Sequence, residues 1–195
     1  MSRLHTSFVL GYHGCDRQVG EKILSGKTGF KKSEEEFDWL GPGVYFWEAD
    51  PKRALEWAQE KAKGGSYREP FAIGAVIDLG NCLDLMSRDS LDLLKSSYES
   101  LVEARKKGGL GPLPSNSGKP PDFGLRKRDC AVIRHLHEAI SDSDGEPFDS
   151  VRGLFTEGKE IYPGAGFLEK THVQIAVCNL AAIKGTFRVP ETDFA

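Results

Sequence analysis

Three short apolar segments marked by glycine constrain this chain more than any other feature: Leu10-Gly-Tyr-His-Gly14, Trp39-Leu-Gly-Pro-Gly-Val-Tyr-Phe-Trp-Glu48 and Thr171-His-Val-Gln-Ile-Ala-Val177. Their length and their β-branched and aromatic content read as strands. Each looks like a strand end carrying one chemically useful side chain: His13, Tyr45 and Gln174. In the third segment, strand alternation sends Val173, Ile175 and Val177 to one face and His172, Gln174 and Ala176 to the other. The first set is core. The second sets two polar side chains on a face that meets either a cleft or solvent.

The rest of the chain mixes strands and helices without strict alternation, which reads as α+β. Strands are expected at 7–14, 43–47, 71–79, 150–155, 172–178 and 183–189, and helices at 18–25, 90–107 and 128–140. A further helix starts after Asp50, whose carboxylate can cap the first turn, with Pro51 where its missing N–H costs nothing. Ala54, Trp57, Ala58 and Lys61 share one face of it. The cluster at 31–36 reads as a solvated loop, 142–145 as a turn, and 108–124, rich in Gly, Pro and Ser, as the longest loop. Lys106, Lys107, Arg126, Lys127 and Arg128 flank that loop and read as a solvated face rather than a basic patch.

A length of 195 residues favours one domain, 1–195. Apolar residues at 39% and charged residues at 28% are ordinary globular values, and a net charge of −3 gives no general pull toward nucleic acid. Cys15, Cys82, Cys130 and Cys178 are too widely spaced for a zinc site and read as reduced thiols of a cytoplasmic protein. No metal site, leader or membrane span is expected.

His13 can hydrogen-bond a ribose hydroxyl, and the backbone of Gly14 can pair with a carboxamide. Tyr45 offers a flat face to a planar cationic ring. Each also suits a purely structural role: a core histidine before a turn glycine, an aromatic core strand, and, for Gln174, a solvated strand face.

In order, His13, Tyr45 and Gln174 resemble the His-Tyr-Glu signature of ADP-ribosyltransferases of the poly(ADP-ribose) polymerase and diphtheria-toxin type, with Gln in place of Glu. The resemblance covers about 7–62 and 148–189, and leaves 80–147 without a family reading. It implies an ADP-ribosyltransferase-like split β-sheet core with flanking helices, and NAD as substrate. By the same resemblance, His13 and Gly14 hold the nicotinamide ribose and carboxamide, Tyr45 stacks on the ring with Trp57 as the second wall, and Gln174 stands at the position of the glutamate. The loop 156–167, with Tyr162, Pro163 and Phe167, matches the family's acceptor-recognition loop. The family has Ser or Thr where this chain has Cys15, and Trp57 is offset by about one residue.

The amide of Gln174 can bond ribose hydroxyls but cannot ionise, so the acceptor's proton must go elsewhere. His172 and an acceptor that is already nucleophilic are the leading routes, with Glu157 and Glu169 behind. Chain extension needs an activated ribose hydroxyl, so transfer of a single ADP-ribose to a protein or nucleic acid is the expected activity. Such an enzyme would act as a toxin in the absence of an inhibitory partner. An NAD glycohydrolase and a non-catalytic NAD- or ADP-ribose-binding domain are the alternatives.

Overall fold

Residues 8–118 and 124–194 are described by the computed structural model. The strands are β1 (Phe8–Asp16), β2 (Val44–Glu48), β3 (Pro70–Asp78), β4 (Cys82–Asp84), β5 (Ser150–Phe155), β6 (His172–Val177) and β7 (Ile183–Arg188). They form one sheet in the order β4-β5-β6-β2-β1-β3-β7, antiparallel throughout except for the parallel β4–β5 pair. With α1 (Arg17–Leu24), α2 (Pro51–Lys63), α3 (Arg88–Lys107) and α4 (Lys127–Asp142), the architecture is α+β. Among the described residues, no helix is long and apolar enough to cross a membrane.

Strand alternation builds two cores. Phe46 and Val44 of β2, Ala75 and Ile77 of β3, and Ile175 and Val177 of β6 pack together on one face. On the other face, Val151 and Phe155 of β5 and Ala176 of β6 meet Ile133 and Leu136 of α4, while Tyr12, Trp47 and Ala72 meet Ala54 of α2. A wholly buried side chain such as Phe46 stabilises the fold by about 2–3 kcal/mol through removal of apolar area from water.

Local chemistry sets the helix starts. Asp50 accepts from the Arg53 amide at 2.9 Å with Pro51 at the first helical position, and Asp16 accepts from the Gln18 amide at 3.0 Å at the start of α1. The stretch 80–147 builds β4 and the α3–α4 pair, where Ser97 Oγ donates to the Val132 carbonyl at 3.0 Å. β4 was not expected: three residues carry too little pattern, and its pairing with β5 is non-local. Residues 119–123 of the expected long loop, and residue 7 of the first strand, lie outside the described residues.

One expectation at the centre of the sheet is corrected. β1 does not end at Gly14 but runs to Asp16, because β3 pairs with it along its whole length, from Phe8↔Asp78 to Asp16↔Pro70. His13 and Gly14 therefore lie inside a strand.

Candidate functional site

The pairing of β1 with β2 is short. Its register is Gly11↔Glu48 and Tyr12↔Trp47, and the Ala49 amide closes one end by donating to the Leu10 carbonyl at 2.9 Å. In a regular antiparallel ladder the residues that bond a given neighbour alternate, so Leu10, Tyr12 and Gly14 direct their backbone groups toward β2. The next rung would join the Gly14 N–H to the Tyr45 carbonyl. That carbonyl instead accepts from His13 Nδ1 at 2.8 Å. The sheet parts there.

The imidazole of His13 is the wedge. A carbonyl only accepts, so Nδ1 carries the proton and Nε2 is left bare as an acceptor. Phe30 and Phe46 pack against the ring at 5.4 and 5.6 Å between centroids. Burial pushes the pKa of His13 down, against the upward pull of the Tyr45 carbonyl, so the ring is neutral at pH 7.

A cleft of about 460 Å³ opens at this break, lined by His13, Tyr45, Trp57 and Gln174 among others. Gly14 lies behind the wall. A Cβ there would stand 2.3 Å from the Ala54 carbonyl oxygen and 3.2 Å from Trp57 Cε3, so its lack of a side chain lets α2 pack directly on β1. That close approach brings Trp57 to the cleft. Trp57 sits 5.7 Å from Trp47 and 5.9 Å from Tyr67, with Lys61 Nζ 5.1 Å above its ring.

Tyr45 uses its hydroxyl internally, accepting from the Leu40 amide and donating to the Gly41 carbonyl, both at 2.8 Å. Burial holds the phenol well above its usual pKa, so it stays neutral and ties down the turn before β2. The hydroxyl is thus spent within the fold, while Tyr45 lines the cleft.

β6 lies against β2, with Trp47 opposite Gln174. His172 is 5% exposed and Gln174 9%, so their face meets the cleft and not bulk solvent. His172 Nδ1 lies 2.6 Å from the Lys170 carbonyl and therefore carries the proton. Its bare Nε2, 3.0 Å from Gln174 Nε2, accepts from the amide. Both nitrogens are occupied, and burial lowers the pKa of the ring. Stacked on Phe155 at 5.9 Å, His172 sits behind Gln174 rather than on the cleft wall. With its N–H bound to the histidine, Gln174 has Oε1 free as an acceptor.

Arg53, Trp47 and Glu157 complete the wall. Arg53 Nη2 donates to Glu157 Oε2 at 2.9 Å, and that oxygen lies 3.7 Å from His172 Nδ1. From sequence, Glu157 stands behind His172 as a base, and Arg53 and Trp47 carry no motif of their own. The four-residue spacing of Arg53, Trp57 and Lys61 along α2 was the available signal. Glu169 packs on the loop backbone, 3.4 Å from the Lys159 amide, and does not line the cleft. Cys15 is buried, and its thiol is pushed up to about 11.

The loop 156–167 leads away from Glu157. Ile161, Tyr162 and Phe167 at its tip are 54%, 56% and 66% exposed, so these side chains are not part of the core. The Ile161 amide donates to the Phe167 carbonyl at 3.2 Å, closing the tip into a compact excursion. Beside the cleft, Arg126 stacks on Trp39 and Phe155 at 4.6 and 4.9 Å, and Lys127 pairs with Glu36.

No protein-family model matches the chain. Over 193 residues it is 28% identical to MJ0359, an uncharacterized protein of Methanocaldococcus jannaschii, a similarity that covers 89% of this chain and 83% of that protein.

Proposed function

We propose that the protein is a mono-ADP-ribosyltransferase with an ADP-ribosyltransferase-like split sheet. It would cleave NAD, release nicotinamide and transfer one ADP-ribose unit to a protein or nucleic acid. The observation that carries this reading is the parting of β1 from β2, beside which His13, Tyr45, Trp57 and Gln174 line one cleft. The Tyr45 and Trp57 rings offer flat apolar walls to nicotinamide. His13 Nε2 and Gln174 Oε1 are both acceptors, suited to ribose hydroxyl donors.

Cleavage of the nicotinamide–ribose bond develops positive charge on the sugar, which a preorganised negative group stabilises. Gln174 orients the sugar without charge, and Glu157, on the same wall, carries the carboxylate that Gln174 lacks. His172 acts through Gln174 as a positioning residue. The exposed aromatics at 161–167 favour a macromolecular acceptor over water, because apolar tips of this kind are contact surfaces.

The test uses NAD labelled in its adenylate half, incubated with the protein and a cell extract. Nicotinamide release with label on a protease- or nuclease-sensitive product is expected. Release without labelling identifies a glycohydrolase, and NAD binding without release a binding domain. Calorimetry showing unchanged NAD affinity in both His13→Ala and Tyr45→Ala overturns the reading.

A further inference from the structure

The wall around Arg53 holds hydrogen-bond donors that the protein itself does not use. Arg53 is 8% exposed, and while Nη2 serves Glu157, Nε and Nη1 are buried without a hydrogen-bond partner. A Glu60 carboxylate oxygen lies 4.0 Å from Nη1, beyond hydrogen-bond reach. Trp47, whose ring lies 5.6 Å from Arg53 Cζ, is 4% exposed and leaves its indole N–H unpaired. Both residues line the same cleft.

An unpaired buried donor destabilises the fold, and more so where the group is charged. Among the described residues, the other buried side-chain atom without a partner is His137 Nε2, in a different hollow. The fully buried, unpartnered side-chain atoms of this wall are thus all N–H groups, one set of them cationic. Such a set suits a ligand that supplies negatively charged oxygens. Nε and Nη1 lie on different edges of the guanidinium, and the indole N–H comes from a second element. One guanidinium edge and the indole N–H approach a ligand from two different elements, which the non-coplanar oxygens of a tetrahedral phosphoryl group meet more readily than the two coplanar oxygens of a carboxylate.

We propose that the cleft wall at Arg53 and Trp47 is a binding site for a phosphoryl oxyanion, engaged by Arg53 Nε or Nη1 and by Trp47 Nε1. A small rotation of the guanidinium into the open cleft presents its edges while Nη2 keeps Glu157. In the transferase reading, which this proposal deepens but does not require, the phosphoryl group belongs to the dinucleotide or to the acceptor.

The probe is inorganic phosphate at constant ionic strength, with acetate and chloride as controls and ADP-ribose as a second ligand. The readout is the nitrogen-edited NMR resonances of Arg53 Nε–H and Trp47 Nε1–H. Phosphate and ADP-ribose are expected to move both resonances saturably, acetate and chloride to leave them unmoved. Trp47→Phe, which keeps the ring and loses the donor, should weaken phosphate at least threefold, and Arg53→Lys, which keeps charge and loses the fork, at least tenfold. Absence of any shift with phosphate or ADP-ribose in the wild type overturns the proposal without any variant, and so does an equal shift with acetate or chloride. Phosphate binding without NAD cleavage overturns the transferase reading and leaves this site standing. NAD cleavage with no phosphate or ADP-ribose response does the reverse.

Discussion

Gln174 Nε2 lies 3.0 Å from His172 Nε2, and this contact decides which end of the amide meets the cleft. The Lys170 carbonyl fixes the proton on His172 Nδ1, the bare Nε2 takes the amide N–H, and Oε1 is left for a ligand.

Replacing the histidine should therefore disturb the amide without emptying the cleft. His172→Phe keeps the stack on Phe155 and removes the acceptor that orients Gln174. Loss of one oriented hydrogen bond, about 1.4 kcal/mol, corresponds to a tenfold fall in rate. Nicotinamide release should show kcat down about tenfold with KM little changed. A large rise in KM at constant kcat would place His172 in ground-state binding instead.

Acid should weaken the fold through both buried histidines. Burial lowers the pKa of His13 and His172 in the folded state, so below the ordinary histidine value of about 6.5 the unfolded chain takes up protons first. The histidine contribution is complete above that pH and declines as pH drops toward the lowered folded values. Glu157 and Asp50 oppose the downward shift at His172, and Arg53 adds to it. Urea midpoints at pH 7.5 and 5.5 test this, with a shallower decline expected for His172→Phe.

The seam between β1 and α2 has no room for a methyl group at Gly14, where the opposing atom is the Ala54 carbonyl oxygen at 2.3 Å. Gly14→Ala should destabilise by about 2–3 kcal/mol, because backbone must shift to admit the methyl. Ala49, by contrast, sits at φ 54° between β2 and the Asp50 cap, a conformation that strains a residue with a Cβ. Ala49→Gly should stabilise by about 0.5–1 kcal/mol after the added freedom of the unfolded chain is deducted. Thermal unfolding of the pair should show opposite shifts.

Tyr162→Ser and Phe167→Ser alter exposed side chains, so stability should stay within about 0.5 kcal/mol of the wild type. Nicotinamide release should persist in both while label transfer to a macromolecule is lost. Unchanged labelling would remove the loop tip from acceptor recognition.

The transferred product should be a single ADP-ribose unit, because Gln174 cannot activate a ribose hydroxyl for extension. Mass spectrometry of labelled acceptors should show one increment. A ladder would point to Glu157, which lines the cleft beside Gln174, as the extending base.

Much of this architecture is written in local chemistry. The strands expected at 150–155 and 172–178, the second ending one residue earlier at Val177, the Asp50–Pro51 helix start and the two faces of β6 depend on neighbours in sequence, and the structure has each of them. That the face bearing His172 and Gln174 is buried rather than solvated is not legible in the polar pair itself and follows from the packing around β6. The sequence alone could not say where β1 leaves β2, because that break depends on a contact 32 residues long in sequence, His13 Nδ1 to the Tyr45 carbonyl, competing with an ordinary ladder bond. Nor could it say that Gly14 is shaped by helix packing, that β4 joins the sheet edge, or that Arg53 meets Glu157 across 104 positions. Local propensity sets strands and helices through their own backbones. The cleft and its unused donors arise only when distant segments compete for the same hydrogen bonds and the same space.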